Sequence, residues 1–469
     1  MIELTAGHLV GIAVTLAVVS AVGVYSGRMI KTASDFAVGG RKAGPVLVAA
    51  TIMGTLVGGA STIGTAQLAF RYGFSAWWFT LGGGIGCLVL ALSLAGPLRA
   101  AERETVPELL GGAYGDSAAV TASLFSSFGT FLNLVAQVLA AVALLTSMLS
   151  MSDWLAAVLA VLLIIAYVVF GGVWGASLVG LTKLIFLYGI LAVTGPLAYS
   201  LVGGWQGLHG ALPSYPWFSL FGRGLQVDLA AGFSLLVGVL STQTYVQAIF
   251  SGRDAAAARK GALLAAFLIP PAGIPGILIG LYMRLNFPNL DPGQAFPVFV
   301  LKFLPPWLAG VALATLLVAV VGTGAGLALG ISTMLARDIY GRYFGQTASP
   351  AQKLLVSRLV IIAVAGASLV IVLSGNLKSL ILEWTYLSMG LRGATVCLPL
   401  VAALFFRERI LPQAGRWAII LGPVTALLWK VIGAPTDPLY PGLLVSFLTL
   451  AVGFVLAPRA ASATSSESR

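Results

Sequence analysis

The feature that most constrains this chain is a succession of apolar runs, each of seventeen residues or more and almost free of charge, from one end to the other. As a helix, a run of that length crosses the roughly 30 Å hydrocarbon core of a bilayer. Inside lipid the backbone must satisfy its own polar groups, which a helix does segment by segment. The runs fall near 5–27, 44–71, 75–97, 118–149, 153–171, 178–202, 227–249, 259–284, 296–336, 354–374, 376–406, 415–434 and 439–457, which makes thirteen. The 296–336 stretch is too long for one straight crossing and is predicted to begin as a surface segment around Pro305-Pro306. Composition agrees: 59% of the 469 residues are apolar and only 9% charged, where a soluble domain is near half apolar and about a quarter charged. At about 20 residues per span, thirteen helices take roughly 260 residues, leaving loops but no independent soluble domain. The predicted fold class is an all-α polytopic membrane protein.

Charge sets the topology. A net charge of +11 would suggest nucleic acid in a soluble protein, but here the cations stand in ones and twos between apolar runs, so no nucleic-acid partner is expected. With the N-terminus outward, eighteen Lys and Arg fall in inner loops and six outside, which predicts an outer N-terminus and a cytoplasmic C-terminus in the cell membrane. Two cations remain inside spans, Lys183 and Arg392. Cys87 and Cys397 lie in apolar segments without disulfide or metal-ligand spacing. The first 27 residues carry Glu3 rather than a basic start and are read as an uncleaved first span.

After an N-terminal helix and first loop (1–43), segments 44–202 and 227–406 each supply five helices, joined by an outer connection (203–226). Two further helices (407–459) and a Ser-rich tail predicted to be disordered (460–469) follow. An odd number of helices per unit turns the second unit upside down relative to the first, the inverted-repeat plan of secondary transporters. In that plan the first helix of each unit breaks near the midplane. Gly54-Thr55-Leu56-Val57-Gly58-Gly59-Ala60-Ser61-Thr62 opens the first unit and Ser241-Thr242-Gln243-Thr244-Tyr245 the second; glycine weakens a helix and Ser/Thr hydroxyls can satisfy a freed backbone. Close helix packing through small residues is the alternative for either segment alone.

Four stretches in order carry a family resemblance: Ser34-Asp35-Phe36-Ala37-Val38-Gly39-Gly40-Arg41, Gly64 through Gly73, Thr105-Val106-Pro107-Glu108-Leu109-Leu110, and Ala319-Val320-Val321-Gly322-Thr323 continuing to Ser332-Thr333 and Tyr340. With them the chain resembles the solute:sodium symporter family. That resemblance implies a LeuT-like 5+5 inverted repeat with one N-terminal and two C-terminal extra helices, and a carrier for a small solute. It also implies a sodium site of hard oxygen ligands: the carbonyls of Gly54, Val57 and Ala319, with hydroxyls at positions 322 and 323. Gly322 has no hydroxyl, so only Thr323 remains. Lys183 stands where the family has an Asp near the ion, and Phe186 where it has a Gln.

A lysine ammonium carries sodium's charge and three donors, and an intramembrane ionisable group points to function. Two readings of coupling follow: Lys183 substitutes for the ion, making transport sodium-independent or proton-coupled, or Lys183 snorkels and water completes a sodium site. The resemblance places solute candidates at Ser61, Thr62, Gln67, Asn133, Gln137, Gln243, Tyr245, Gln247, Tyr386 and Arg392. Asn133 and Gln137 are four apart and share a helix face, as substrate ligands or as interhelical glue. Arg392 needs an anion: a solute carboxylate, Glu383, Asp153 or a lipid headgroup. The solute is expected to be a carboxylate or an amino acid, the protein a monomer in lipid, and no cofactor beyond a coupling H+ or Na+ is expected. His8 and His209 have no Cys or acidic neighbours at metal spacing. Nothing forms an acid–base cluster, which disfavours the remaining alternative, a membrane-embedded enzyme or sensor.

Overall fold

The computed structural model describes residues 4–27, 41–345, 349–375 and 377–457, with the side chains of 26–27, 169–179 and 350 outside the description. The Ser34–Gly40 motif and the 460–469 tail therefore lie outside the described residues. Helix α1 is Ala6–Gly27, followed by α2 (Pro45–Leu56), α3 (Thr65–Tyr72), α4 (Trp78–Val89), α5 (Val106–Tyr114), α6 (Asp116–Leu149) and α7 (Asp153–Leu201). Then come α8 (Leu225–Ser241), α9 (Gln243–Ser251), α10 (Ala255–Asn286), α11 (Ala295–Phe303), α12 (Pro306–Thr333), α13 (Pro350–Ser374), α14 (Ile381–Phe405), α15 (Pro412–Ile432) and α16 (Leu439–Leu456). Among the described residues ten helices are long and apolar enough to cross a membrane, or eleven when α8 and α9 are taken as one bent span. Pro45–Leu56 and 153–168 are shorter apolar helices. The 296–336 stretch is divided into α11 and α12, separated by Leu304-Pro305, and most of α11 is buried.

The spans expected at 153–171 and 178–202 lie in one helical stretch, Asp153–Leu201, within which 153–168 and Gly180–Leu201 are separate apolar segments on either side of 169–179.

Local chemistry explains the starts and the breaks. The Thr105 hydroxyl accepts from the Glu108 N–H at the start of α5, and Asp254 accepts from Ala257 N–H at the start of α10; that N–H holds the Asp254 carboxyl below the usual range. Ser349 and Gln352 form a reciprocal capping box on α13. Between α2 and α3 the chain leaves the helix at Val57 (φ −91°, ψ 94°) and resumes as a wide π turn over Ala60–Gly64. Between α8 and α9, Thr242 is extended and the two helices meet at 45°.

Two ends of the bundle are distinct. At one, cations from several loops converge: Arg99 donates to Gly252 O, Arg407 to Gly112 O, Arg416 to Tyr114 O, and Arg342 pairs with Asp116. This is called the basic end below. At the opposite end Arg223 and Asp228 form a buried pair, the guanidinium 7% and the carboxylate 0% exposed, with Nη2 to Oδ1 at 2.7 Å and two further hydrogen bonds. Removing one partner of a buried pair strands the other charge, which costs about 3–5 kcal/mol. Asp228→Asn is therefore expected to lower the thermal unfolding midpoint of the detergent-purified protein by several degrees, while an exposed change such as Asp254→Asn moves it little.

Trp77 donates to Pro270 O and Trp78 to Leu220 O, so both tie elements of the bundle together. Trp307 is exposed, and the Trp174 side chain lies outside the described residues. Cys87 and Cys397 are free and buried.

Candidate functional site around the two helix breaks

The break between α2 and α3 frees carbonyls that helix geometry would have occupied, and nearby hydroxyls take up part of them. Ser61 and Thr62 both donate to Gly58 O, at 3.0 and 2.8 Å. These two predicted solute ligands thus serve first to satisfy the broken backbone. Gly58 and Gly59 let the break press against α6 and α12. A Cβ on Gly58 would sit 2.4 Å from Thr323 Oγ1 and 3.3 Å from Ala319 O; one on Gly59 would sit 2.8 Å from Ala140 Cβ and 3.0 Å from Gln137 Oε1.

Lys183, from the second half of α7, reaches into this junction. Its Nζ donates to Gly54 O at 2.5 Å and to Thr323 Oγ1 at 3.2 Å, and the residue is 3% exposed. It does not snorkel. One tethered ammonium therefore bridges α2 and α12, and Ala319 O lies in the same junction, 3.3 Å from the place of a Cβ on Gly58. Val57 is fully buried at the point where the helix is left. Gly322 offers no oxygen; the atom nearest the place of a Cβ there is the Tyr167 hydroxyl, at 3.6 Å, a neighbour that sequence reading missed because it comes from a different helix. A sodium ion needs a shell of oxygen ligands. The set here holds a cationic donor and lacks one of the hydroxyls that the resemblance implies.

The other predicted solute residues are not gathered in one place. Asn133, Gln137 and Arg392 form a buried polar seam between α6 and α14, completed by two hydroxyls that the sequence reading passed over. Thr385 Oγ1 donates to Asn133 Oδ1 at 3.4 Å, Ser388 Oγ donates to Gly129 O at 2.5 Å, and Arg392 Nη2 donates to Ser388 Oγ at 2.9 Å. The signal was present: 385, 388 and 392 lie at helical spacing on one face. Among the described residues no carboxylate reaches Arg392, so neither Glu383 nor Asp153 is its partner. Tyr245 is buried just beyond the α8–α9 break, and Gln247 is half-buried two residues further on.

Gln67 and Gln243 instead hold elements together. Gln67 accepts from Ile381 N–H and donates to Ser379 O, fixing α3 to the start of α14. Gln243 accepts from Val106 N–H at 2.8 Å and donates to Glu104 O at 3.2 Å, and Arg337 pairs with Glu104. This clamp ties the second break to the loop before α5 at the basic end. Tyr386 lies toward the opposite end, with the Arg223 guanidinium 5.4 Å from its ring centre and Phe79 beside it. His209 is stacked on Phe218 and His8 contacts Thr5; among the described residues no cluster could hold a metal through His, Cys, Asp or Glu.

This arrangement has known counterparts. A solved Na+-coupled sialic acid symporter, in a substrate-bound outward-open state, superposes with a TM-score of 0.78 at 19% identity, covering 97% of this chain and 98% of that one. The high-affinity proline transporter PutP of Bacillus subtilis is 23% identical over 92% of this chain and 94% of its own length. The human high affinity choline transporter 1 is 23% identical over 89% of this chain and 75% of its own. The fold is LeuT-like, and the Sodium:solute symporter family matches residues 36–422. The protein is a multi-pass membrane transporter for small solutes, not an enzyme, and belongs to the sodium:solute symporter family.

Proposed function

We propose that this chain carries a small carboxylate or amino acid across the cell membrane by alternating access, with the Lys183 ammonium in place of the family's sodium ion, so that transport is sodium-independent or proton-coupled. The observation that carries this reading is the bond pair from Lys183 Nζ to Gly54 O and Thr323 Oγ1 in a buried junction. A fixed cation there supplies the charge that joins the broken helix to α12, and a second cation in the same space would be repelled. The two breaks, 13 and 15 residues into units starting at 44 and 227, support the inverted repeat 44–202 and 227–406. The eighteen-to-six distribution of cations supports a cytoplasmic basic end, an outer N-terminus and an inner C-terminus. Inward release then requires Gln243 to part from Glu104 and Val106, and Arg337 from Glu104 and Glu108.

Family membership favours a second reading, in which sodium joins Gly54 O, Ala319 O and Thr323 with water as the missing ligand. Solute uptake into proteoliposomes separates the two. With sodium exchanged for potassium the rate is expected to hold within about twofold, and an inward proton gradient either accelerates uptake or leaves it unchanged. Uptake that collapses without sodium defeats the first reading.

A further inference from the structure

We infer that the solute is a small monocarboxylate carrying a hydroxyl close to its carboxyl group, held between Arg392 and Gln137; this rests on the carrier reading above and sharpens its substrate. Arg392 is 1% exposed. Its Nε donates to Ser388 O and its Nη2 to Ser388 Oγ and Met389 Sδ, whereas Nη1 is buried with no partner. Gln137 is 2% exposed; its Nε2 donates to Asn133 Oδ1 at 3.5 Å and its Oε1 is buried with no partner, beside the place a Cβ on Gly59 would take. A buried polar atom left unpaired is costly, so an orphan donor and an orphan acceptor in one seam call for a molecule that answers both.

The register of the seam sets the distance. Ser388 bonds Gly129 and Thr385 bonds Asn133, so α6 and α14 run antiparallel. Side chains lean toward the N-terminus of their own helix, and the bonds agree: the Arg392 head group lies at Ser388, level with Gly129, and the Gln137 amide lies at Asn133. Positions 129 and 133 are about 6 Å apart along the axis. The two orphan atoms are thus too far apart to bond each other and close enough for one small molecule to bridge. A planar guanidinium favours a carboxylate; a neutral amide oxygen takes a hydroxyl donor.

Charge decides between hydroxyl and ammonium. Lys183 and Arg392 already place two cations in the membrane core. Among the described residues the buried carboxylates are Asp228, paired with Arg223, and Asp338, bonded to Ser123. An amino acid would add a third cation facing only an amide oxygen, and a quaternary ammonium solute would bring no anion at all. A monoanion with a hydroxyl balances the site.

The test is equilibrium binding to the purified full-length protein with lactate, propionate, alanine and choline as probes, in sodium and in potassium buffers. Lactate is expected to bind at least about tenfold tighter than propionate or alanine, since a site built to pair a hydroxyl rejects the analogue lacking it; choline is not expected to bind. Gln137→Leu should bring lactate down to the propionate level, and Arg392→Gln should weaken every carboxylate at least about tenfold, with unliganded melting curves confirming folded variants. Propionate binding as tightly as lactate, alanine or choline binding more tightly, or no carboxylate binding at all, overturns the inference. Because the ligand ranking is read within each buffer, a sodium requirement would count against the role given to Lys183 and leave the hydroxyl preference standing or falling on the ranking alone.

Discussion

Lys183→Ala is expected to reduce solute uptake at least about thirtyfold while the protein still inserts and purifies. Truncation leaves Gly54 O and Thr323 Oγ1 in a buried junction without their shared donor. Each buried group stranded in this way costs about 1–3 kcal/mol, and every 1.4 kcal/mol is a factor of ten in an equilibrium. The loss falls on the connection between α2, α7 and α12. Lys183→Arg is expected to fail as well, because a planar fork with five donors does not replace a compact ammonium held between a carbonyl and a hydroxyl. Ser332 gives the control: its hydroxyl donates to Ser357 O, away from Lys183, so Ser332→Ala should leave uptake near the parent level where Thr323→Ala lowers it at least about tenfold. A lysine whose head group sat in water would make Lys183→Ala nearly silent in the same proteoliposome assay.

Gly58→Ala is expected to be nearly as damaging, for a steric reason. The added methyl would lie 2.4 Å from Thr323 Oγ1 and 3.1 Å from its Cβ, with Ala319 O at 3.3 Å. Thr323 is β-branched and buried, so it has little room to turn away. Either α12 moves off the break or the break opens, and both lengthen the Lys183 bridge. Overpacking of this kind costs about 1–3 kcal/mol, here concentrated on the junction, and uptake should fall at least about tenfold. Gly189→Ala adds the same methyl to α7 where nothing lies within 4 Å and should be silent. Near-normal uptake by Gly58→Ala would mean that the break and α12 do not need to approach so closely.

Much of this architecture was legible because lipid leaves a chain few choices. Apolar runs between Gly, Pro and charge mark spans, and both helix breaks fall in stretches where glycine or clustered hydroxyls weaken the helix. Lys183 was visible because a lysine inside an apolar run is costly unless it has a partner, and the family resemblance indicated which backbone it would meet. The Asn133–Gln137 pair followed from four-residue spacing. Less legible was anything set by contact between distant segments. Gln67 and Gln243 look like solute ligands by depth, yet each spends its amide on backbone of a facing loop or helix end, 312 and 139 residues away for the Nε2 bonds. Tyr167 beside Gly322 belongs to the same class.

The most direct measurement is sodium-dependent stabilisation of the purified protein. An ion that binds the folded state raises the unfolding midpoint by mass action. With Lys183 holding the junction, raising sodium against potassium at constant ionic strength should leave the parent's midpoint unchanged. Lys183→Ala exposes Gly54 O and Thr323 Oγ1 to a mobile cation and should gain a sodium-specific rise. A saturable, sodium-specific rise in the parent, lost in Thr323→Ala, would contradict the account.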